Sequence, residues 1–275
     1  MGGLPEIGGL WVGSDLSFLE QLSIKSYLDR GHPYTLYTLS DVGRVPTGVT
    51  VRPASDILAP PFDISDGHRL RTVCYSNLFR MEMFQRTDAI WADLDTYCVR
   101  ALVDEPVMIF GRTHNQIVPH HVNTSTLRLS RSSATLEALQ TFFALKDPVP
   151  PWDGTRFQKK VERFRRKGRS WQIQDLPWGA SGHRALTHFL NETGEIADVQ
   201  PVEAFHSINQ HNYAWLFDRL VPTDQIEAQG VKVLHMFGKT RAIIADQFKG
   251  EPPAQSYLSR ICARHSIDPK AAPVT

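Results

Sequence analysis

Asp93-Leu94-Asp95 closes the apolar run Ala89-Ile90-Trp91-Ala92, and its two acids are the residues of this chain best placed for chemistry. In an extended backbone, side chains at i and i+2 share a face, so Asp93 and Asp95 should project together with Leu94 turned away. Carboxylates held that close either share a proton or bind a cation. An all-oxygen donor set suits Mg²⁺, Mn²⁺ or Ca²⁺, and a metal bound by one or two carboxylates completes its shell with water and substrate phosphates. The pattern points to a metal-borne diphosphate. A solvated turn is the plain alternative. The position after an expected strand favours the site, because open α/β sheets bind ligands at the carboxyl ends of their strands.

Other side chains fit the same chemistry less specifically. In the expected helix 68–86, Leu70, Val73, Cys74, Leu78, Met81 and Phe84 form one apolar arc, with Asn77 inside it and Arg80 at its edge. A buried amide and a guanidinium both need partners, either within the fold or on a substrate. His235 shares a strand face with Val231, Val233 and Phe237, which favours a core histidine. His120 and His121 read as a polar hairpin edge, and Asn123 can bond a ligand. Trp178 can stack on a pyranose or anchor a core.

Elements able to position these groups alternate through the first half. "LPEIGGLWVG" reads as a strand, and Ser14 or Asp15 as the cap of a helix running to about Arg30. "HPYTLYTLS" and "GVTVRP" read as strands, as do "AIWA", "PVMIFGR" and "NQIVPHHVN", and 130–146 reads as a helix. This order argues for an α/β protein with a mixed, largely parallel sheet. The second half holds a proline-rich break at "KDPVPPWDG", a basic run, a loop entering a helix at "DLPWGASGHRALTHFL", a late strand at "VKVLHMFGK" and a tail from Pro252. One domain over 1–275 is the preferred division, with a boundary near 150 as the alternative.

Composition narrows the class. The formal charge of +1 over 275 residues offers no overall field for nucleic acid. Seven basic residues and one acidic residue lie between Lys159 and Arg169. A solvated helix face is the favoured reading of that run, with contact to a phosphate-bearing acceptor or an anionic membrane as the other. Cys74, Cys98 and Cys262 make no disulfide framework. With no basic-then-apolar leader and no stretch long enough to span a bilayer, the expectation is a cytoplasmic protein, at most touching the inner face of the membrane.

The stretch "YSNLFRMEMFQRTDAIWADLDTYCV" resembles the signature of the DXD-motif glycosyltransferases of GT-A fold. It is closest to the sugar-binding-region family that includes capsular polysaccharide and mannosyl transferases, and more remotely to the large glucosylating toxins. Ser76, Arg80, Trp91, Asp93 and Asp95 stand where that family has its Ser-Asp-x-x-Arg helix and Tyr-x-Asp-x-Asp strand end, and "LWVG" is similar to its opening Trp-x-Gly. The likeness covers about residues 7–100. It departs at Asn77, where the family has an aspartate, at Thr87-Asp88-Ala89, where it has a glycine-rich turn, and after His235, where Ser-Trp is missing.

The resemblance implies a Rossmann-like GT-A sheet flanked by helices with a C-terminal elaboration: a nucleotide-sugar half at 1–150 and an acceptor-side half at 151–275. It implies transfer of a hexose from a UDP- or GDP-sugar to a glycan or glycolipid-like hydroxyl, with Mn²⁺ or Mg²⁺ and retention of configuration. Asp93 and Asp95 would then hold the metal, with His235 as a weaker ligand, and Arg80 would bind sugar or phosphate. Trp11, Asn77, Asp93 and Asn123 would contact the donor, and Trp178 and His183 would lie on the acceptor side. A haloacid-dehalogenase-like phosphatase and a non-catalytic sugar-nucleotide-binding protein are the competing readings.

Overall fold

The computed structural model describes residues 3–103, 105–113, 121–209 and 211–275. In chain order its strands are β1 (Ile7–Trp11), β2 (Tyr34–Thr38), β3 (Val49–Pro53), β4 (Ile90–Ala92), β5 (Thr96–Cys98), β6 (Thr126–Leu127) and β7 (Val233–His235). The helices are α1 (Phe18–Leu28), α2 (Arg69–Arg86), α3 (Ala134–Phe143), α4 (Thr155–Arg166), α5 (His183–Thr193), α6 (Val202–His206), α7 (Thr223–Ile226), α8 (Gly238–Phe248) and α9 (Tyr257–Arg264). The main sheet has the order β3-β2-β1-β4-β6, and β5 pairs with β7 in a small second sheet. Strands β1 to β4 run parallel, and β6 is antiparallel to β4. The sheet is therefore mixed and largely parallel, flanked by helices.

Alternation along the strands feeds two cores. Leu10, Tyr37, Trp91 and Leu127 face Tyr75, Phe79 and Met83 of α2, Leu136 and Leu139 of α3, and Ala185, Leu186 and Leu190 of α5. Ile7, Tyr34, Leu36, Ile90 and Ala92 face Ile24 and Tyr27 of α1 and Phe205 of α6. Helix α2 lies close on the sheet because β1 offers Gly8: a Cβ there would stand 2.7 Å from Met83 Sδ.

Several expectations are corrected. Helix α1 is capped by Ser17, not by Ser14 or Asp15; Ser17 and Glu20 form a reciprocal capping box that the earlier residues lack. The buried face of α2 is wider than the expected arc: Cys74, Met81 and Phe84 are buried as expected, Leu70 is exposed, and Tyr75, Phe79 and Met83 are fully buried as well, with Phe79 packed on Tyr37 and Trp91. Helix α3 is shorter than 130–146, starting at its Ser133 cap. "PVMIFGR" forms only isolated pairings, of Ile109 with Arg128, Gly111 with Gln200 and Arg112 with Val122. Most of "NQIVPHHVN", with His120, lies outside the described residues.

The stretch after Pro252 is not a tail. Tyr257, Leu258, Ile261 and Cys262 recur at helical spacing and bury α9 against the cluster around Phe18 and Leu22 of α1. The Phe18 N–H donates to Ala272 O at 2.7 Å, which ties the last residues to the start of α1. Among the described residues, no helix is long and apolar enough to cross a membrane.

Candidate active site

The strand order reverses at β1, with β2 on one side and β4 on the other, and a cavity of about 700 Å³ opens where both strands end. Such a crevice at the carboxyl ends is where open α/β sheets bind ligands. Trp11 from the end of β1 and Asp93 and Asp95 after β4 line it.

The two aspartates converge by a different route from the expected one. Strand β4 stops at Ala92, and Asp93 to Asp95 form a tight turn into β5. Both the Thr96 N–H (3.1 Å) and its hydroxyl (2.7 Å) donate to the Asp93 carbonyl. The Asp93 N–H donates to Ser125 O at 2.7 Å, anchoring the turn to the chain entering β6.

Asp93 Oδ1 accepts from Trp91 Nε1 at 2.7 Å and from Arg80 Nη2 at 3.2 Å. Arg80, only 4% exposed, also donates to Thr124 O (2.6 Å) and Ser76 Oγ (3.1 Å), and its guanidinium lies over the Trp91 ring at 4.6 Å. Arg80 lines the cavity, but its hydrogen bonds go to the fold, and its first task is to fix Asp93. This is the local reading of the arginine, in place of direct sugar binding alone.

The antiparallel register of β5 and β7 places His235 opposite Thr96, and thus beside Asp95. His235 Nε2 lies 3.3 Å from Asp95 Oδ1, and the Asp95 carbonyl accepts from the Met236 N–H at 2.7 Å. His235 is 9% exposed and does share its strand face with buried Val231 and Val233. It also lines the cavity, so the core-face reading and the weaker expectation of a ligand meet in one residue. The periodicity was right about the face, but only the long-range β5–β7 pairing reveals what the face meets.

Burial raises the Asp93 carboxyl, with Arg80 opposing and the Asp95 charge adding to the rise. Burial acts on Asp95 in the same sense, but His235 beside it and Arg80 outweigh this and hold it below the usual carboxylate range. For His235, burial disfavours the charged ring, yet Asp95 and Asp93 together keep it above its ordinary value.

His235 Nδ1 is buried with no hydrogen-bond partner among the described residues, and buried Asp95 Oδ1 has the His235 Nε2 contact at 3.3 Å beside it. Asp93, Asp95 and His235 each offer one ligand atom, and those atoms lie within 4.8 Å of one another. Two hard carboxylates, one imidazole and an unpartnered buried nitrogen fit a divalent cation that accepts oxygen together with nitrogen, as Mn²⁺ does.

Every other expected site residue that is described lines the same cavity: Trp11, Asn77, Asn123, Trp178 and His183. Trp11 is half-buried, its Nε1 donating to Ser14 O at 3.3 Å. Asn77, 3% exposed, donates to Ser181 Oγ at 3.2 Å; a Cβ on neighbouring Gly182 would stand 3.1 Å from its amide nitrogen, so the glycine makes room for it. Asn123 Oδ1 accepts from the Ser125 N–H at 2.7 Å, an Asx turn leading to β6. Trp178 is 59% exposed and therefore no core anchor; its ring lies 5.1 Å from that of His183. His121 meets His183 edge-on at 4.7 Å, and burial, with His121 and Arg184 nearby, pulls His183 down to about 4.

Arg241 and Glu20 are among the cavity residues that the sequence reading did not single out. Arg241, in the first turn of α8, lines the wall and pairs with buried Glu20, while donating to Ser17 Oγ at 3.2 Å. The available signal was a cation six residues past His235, just inside a helix that follows a strand end. Glu20 gave none, since its role as a capping residue conceals its second partner.

No family model matches the chain, and neither does any curated protein. Among solved structures it is similar to the galactosyltransferase LgtC in complex with donor and acceptor sugar analogs, at 10% identity, with 97% of this chain and 98% of that one covered and a TM-score of 0.47. It is also similar to the PaToxG glycosyltransferase, at 12% identity over 71% of this chain and 73% of that one, with a TM-score of 0.43. A third likeness is to the bifunctional glycosyltransferase WbbM, at 11% identity over 86% of this chain and 46% of that one, with a TM-score of 0.37. At these scores the likeness carries no functional weight, and the chemistry rests on the residues of the cavity.

Proposed function

We propose that this chain is a metal-dependent glycosyltransferase that moves a hexose from a nucleotide diphosphate sugar to a hydroxyl acceptor, with retention, in polysaccharide or glycoconjugate synthesis. The observation that carries the reading is the convergence of Asp93, Asp95 and His235 on one point of a cavity at the strand-order reversal. A bound Mn²⁺ or Mg²⁺ would neutralise charge developing on the departing diphosphate.

The chain's own residues do the rest. Arg80, Trp91 and the β4–β5 turn hold Asp93 in place, so the acidic pair is organised before any ligand arrives. Arg80 adds a fixed positive charge behind the carboxylates. Trp11 at the end of β1 offers a ring to the nucleotide, and Asn77 and Asn123 offer amides to sugar hydroxyls, able both to donate and to accept. Trp178 and His183 flank the side open to an acceptor. A haloacid-dehalogenase-like phosphatase is disfavoured because Thr96 stands one residue too early for the Asp-x-Asp-x-Thr loop of such enzymes.

The test is turnover of UDP- and GDP-sugars with Mn²⁺, followed as nucleotide release and transfer to a panel of glycan acceptors. Asp95→Asn should abolish metal-dependent turnover and leave the melting temperature near that of the parent. Undiminished turnover in this variant refutes the assignment of the site.

A further inference from the structure

Helix α4 concentrates charge in a way the cavity chemistry does not use. Between residues 159 and 169 stand seven basic residues and one acidic residue, on a chain whose formal total is only +1, so the rest of the molecule is net acidic. All seven cations are exposed. None of them forms an ion pair among the described residues. Lys160 and Arg165 only lean over the rings of Phe164 and Trp171.

The apolar side of the helix is already taken. Val161 is buried, and Phe157 and Phe164 pack against the cluster of Phe142, Trp171 and Ile173. The helix is thus fixed to the body of the protein by one side and shows a cationic face on the other. A face of this kind adheres to an anionic surface by charge, without inserting.

Its position relates it to the cavity. Phe157 and Lys160 face Pro177 and Arg184 across a depression of about 520 Å³. The residues adjoining that far side, Trp178 and His183, line the main cavity. Trp178 is exposed at this rim, and an indole with one apolar and one polar edge suits a bilayer interface.

We propose that the cationic face of α4 docks the protein on an anionic lipid bilayer, with the Trp178 rim of the cavity turned towards the same surface. The rest of the chain is net acidic, so repulsion disfavours approach to an anionic surface by other faces. Nucleic acid fits less well: the cations occupy one short helix and the three residues after it, in a molecule otherwise net acidic, with no recognition element beside them. If the cavity transfers sugar as proposed above, its acceptor is then an amphiphile carried in the membrane, although docking itself does not depend on that chemistry.

Co-sedimentation with vesicles tests the proposal, using phosphatidylcholine alone and phosphatidylcholine mixed with phosphatidylglycerol. The full chain should bind only the mixed vesicles and release at about 1 M salt, where the screening length falls to about 3 Å. The triple variant K159E/K160E/R163E should lose more than about tenfold in partitioning, with unchanged melting temperature and circular dichroism. Asp95→Asn should bind vesicles like the parent, which separates failure of docking from failure of the transfer reading. Equal binding to neutral vesicles, no binding to either kind, undiminished binding by the triple variant, or retention on an RNA homopolymer with none on vesicles would each overturn the proposal.

Discussion

At the scale of single residues, the site depends on one buried cation holding one carboxylate. Arg80 spends its hydrogen bonds on Ser76, Thr124 and Asp93, and burial lowers its pKa against the pull of Asp93 and Asp95. Removing one member of such a pair strands the other and costs about 3–5 kcal/mol when both are buried; Asp93 is partly open, so about 2–3 kcal/mol is expected for Arg80→Ala. Arg80→Lys should recover little, because an ammonium cannot match a planar fork that serves three partners. Urea denaturation of both variants measures this. His183 makes a second prediction. Held at about 4 in the fold against an ordinary value of 6.5, it is neutral at pH 7, whereas the unfolded chain takes up its proton first as pH falls. Its contribution to stability is present above about pH 6.5 and lost between there and about pH 4. Melting curves of parent and His183→Gln at pH 7 and pH 5 should show the parent losing more on acidification.

At the scale of elements, the fold is held by caps and turns as much as by strands. The Glu195 carboxylate accepts from Ser133 Oγ at 2.6 Å, Ala134 N–H at 3.0 Å and Thr135 N–H at 3.1 Å, closing the start of α3 from a distant loop. Burial tends to raise its pKa, but these donors bring it below the ordinary carboxylate value. Glu195→Gln should cost about 1 kcal/mol at neutral pH, and the gap should narrow in acid as Glu195 protonates through its lowered value, which chemical denaturation at two pH values can read. What the sequence disclosed at this scale was uneven for a physical reason. Helix α2 and strands β1 to β4 announce themselves through local periodicity and β-branched or aromatic content. The two-residue β6 and the Glu195 cap depend on partners tens of residues away, and so does the packing of Phe79 on Tyr37 and Trp91. None of these leaves a local pattern.

At the scale of the whole molecule, the Asp93–Asp95 pair was legible, but for a reason that needed replacing: a turn, not an extended strand, brings the carboxylates together. His235 was seen on the correct face, yet its meeting with Asp95 requires β7 to cross the chain and pair with β5. Arg241 and Glu20 join the cavity from opposite ends of the chain, and α9 returns to cover α1, so the closing third could not be read as an appendix. The central claim is that Asp93, Asp95 and His235 hold a cation that in turn holds a nucleotide diphosphate. Calorimetric titration of UDP and GDP into the protein with and without Mn²⁺ tests it most directly. One nucleotide should bind only when the ion is present, and Asp95→Asn and His235→Ala should each weaken that binding at least about tenfold. Equal affinity without the ion, or full affinity in both variants, would contradict the account.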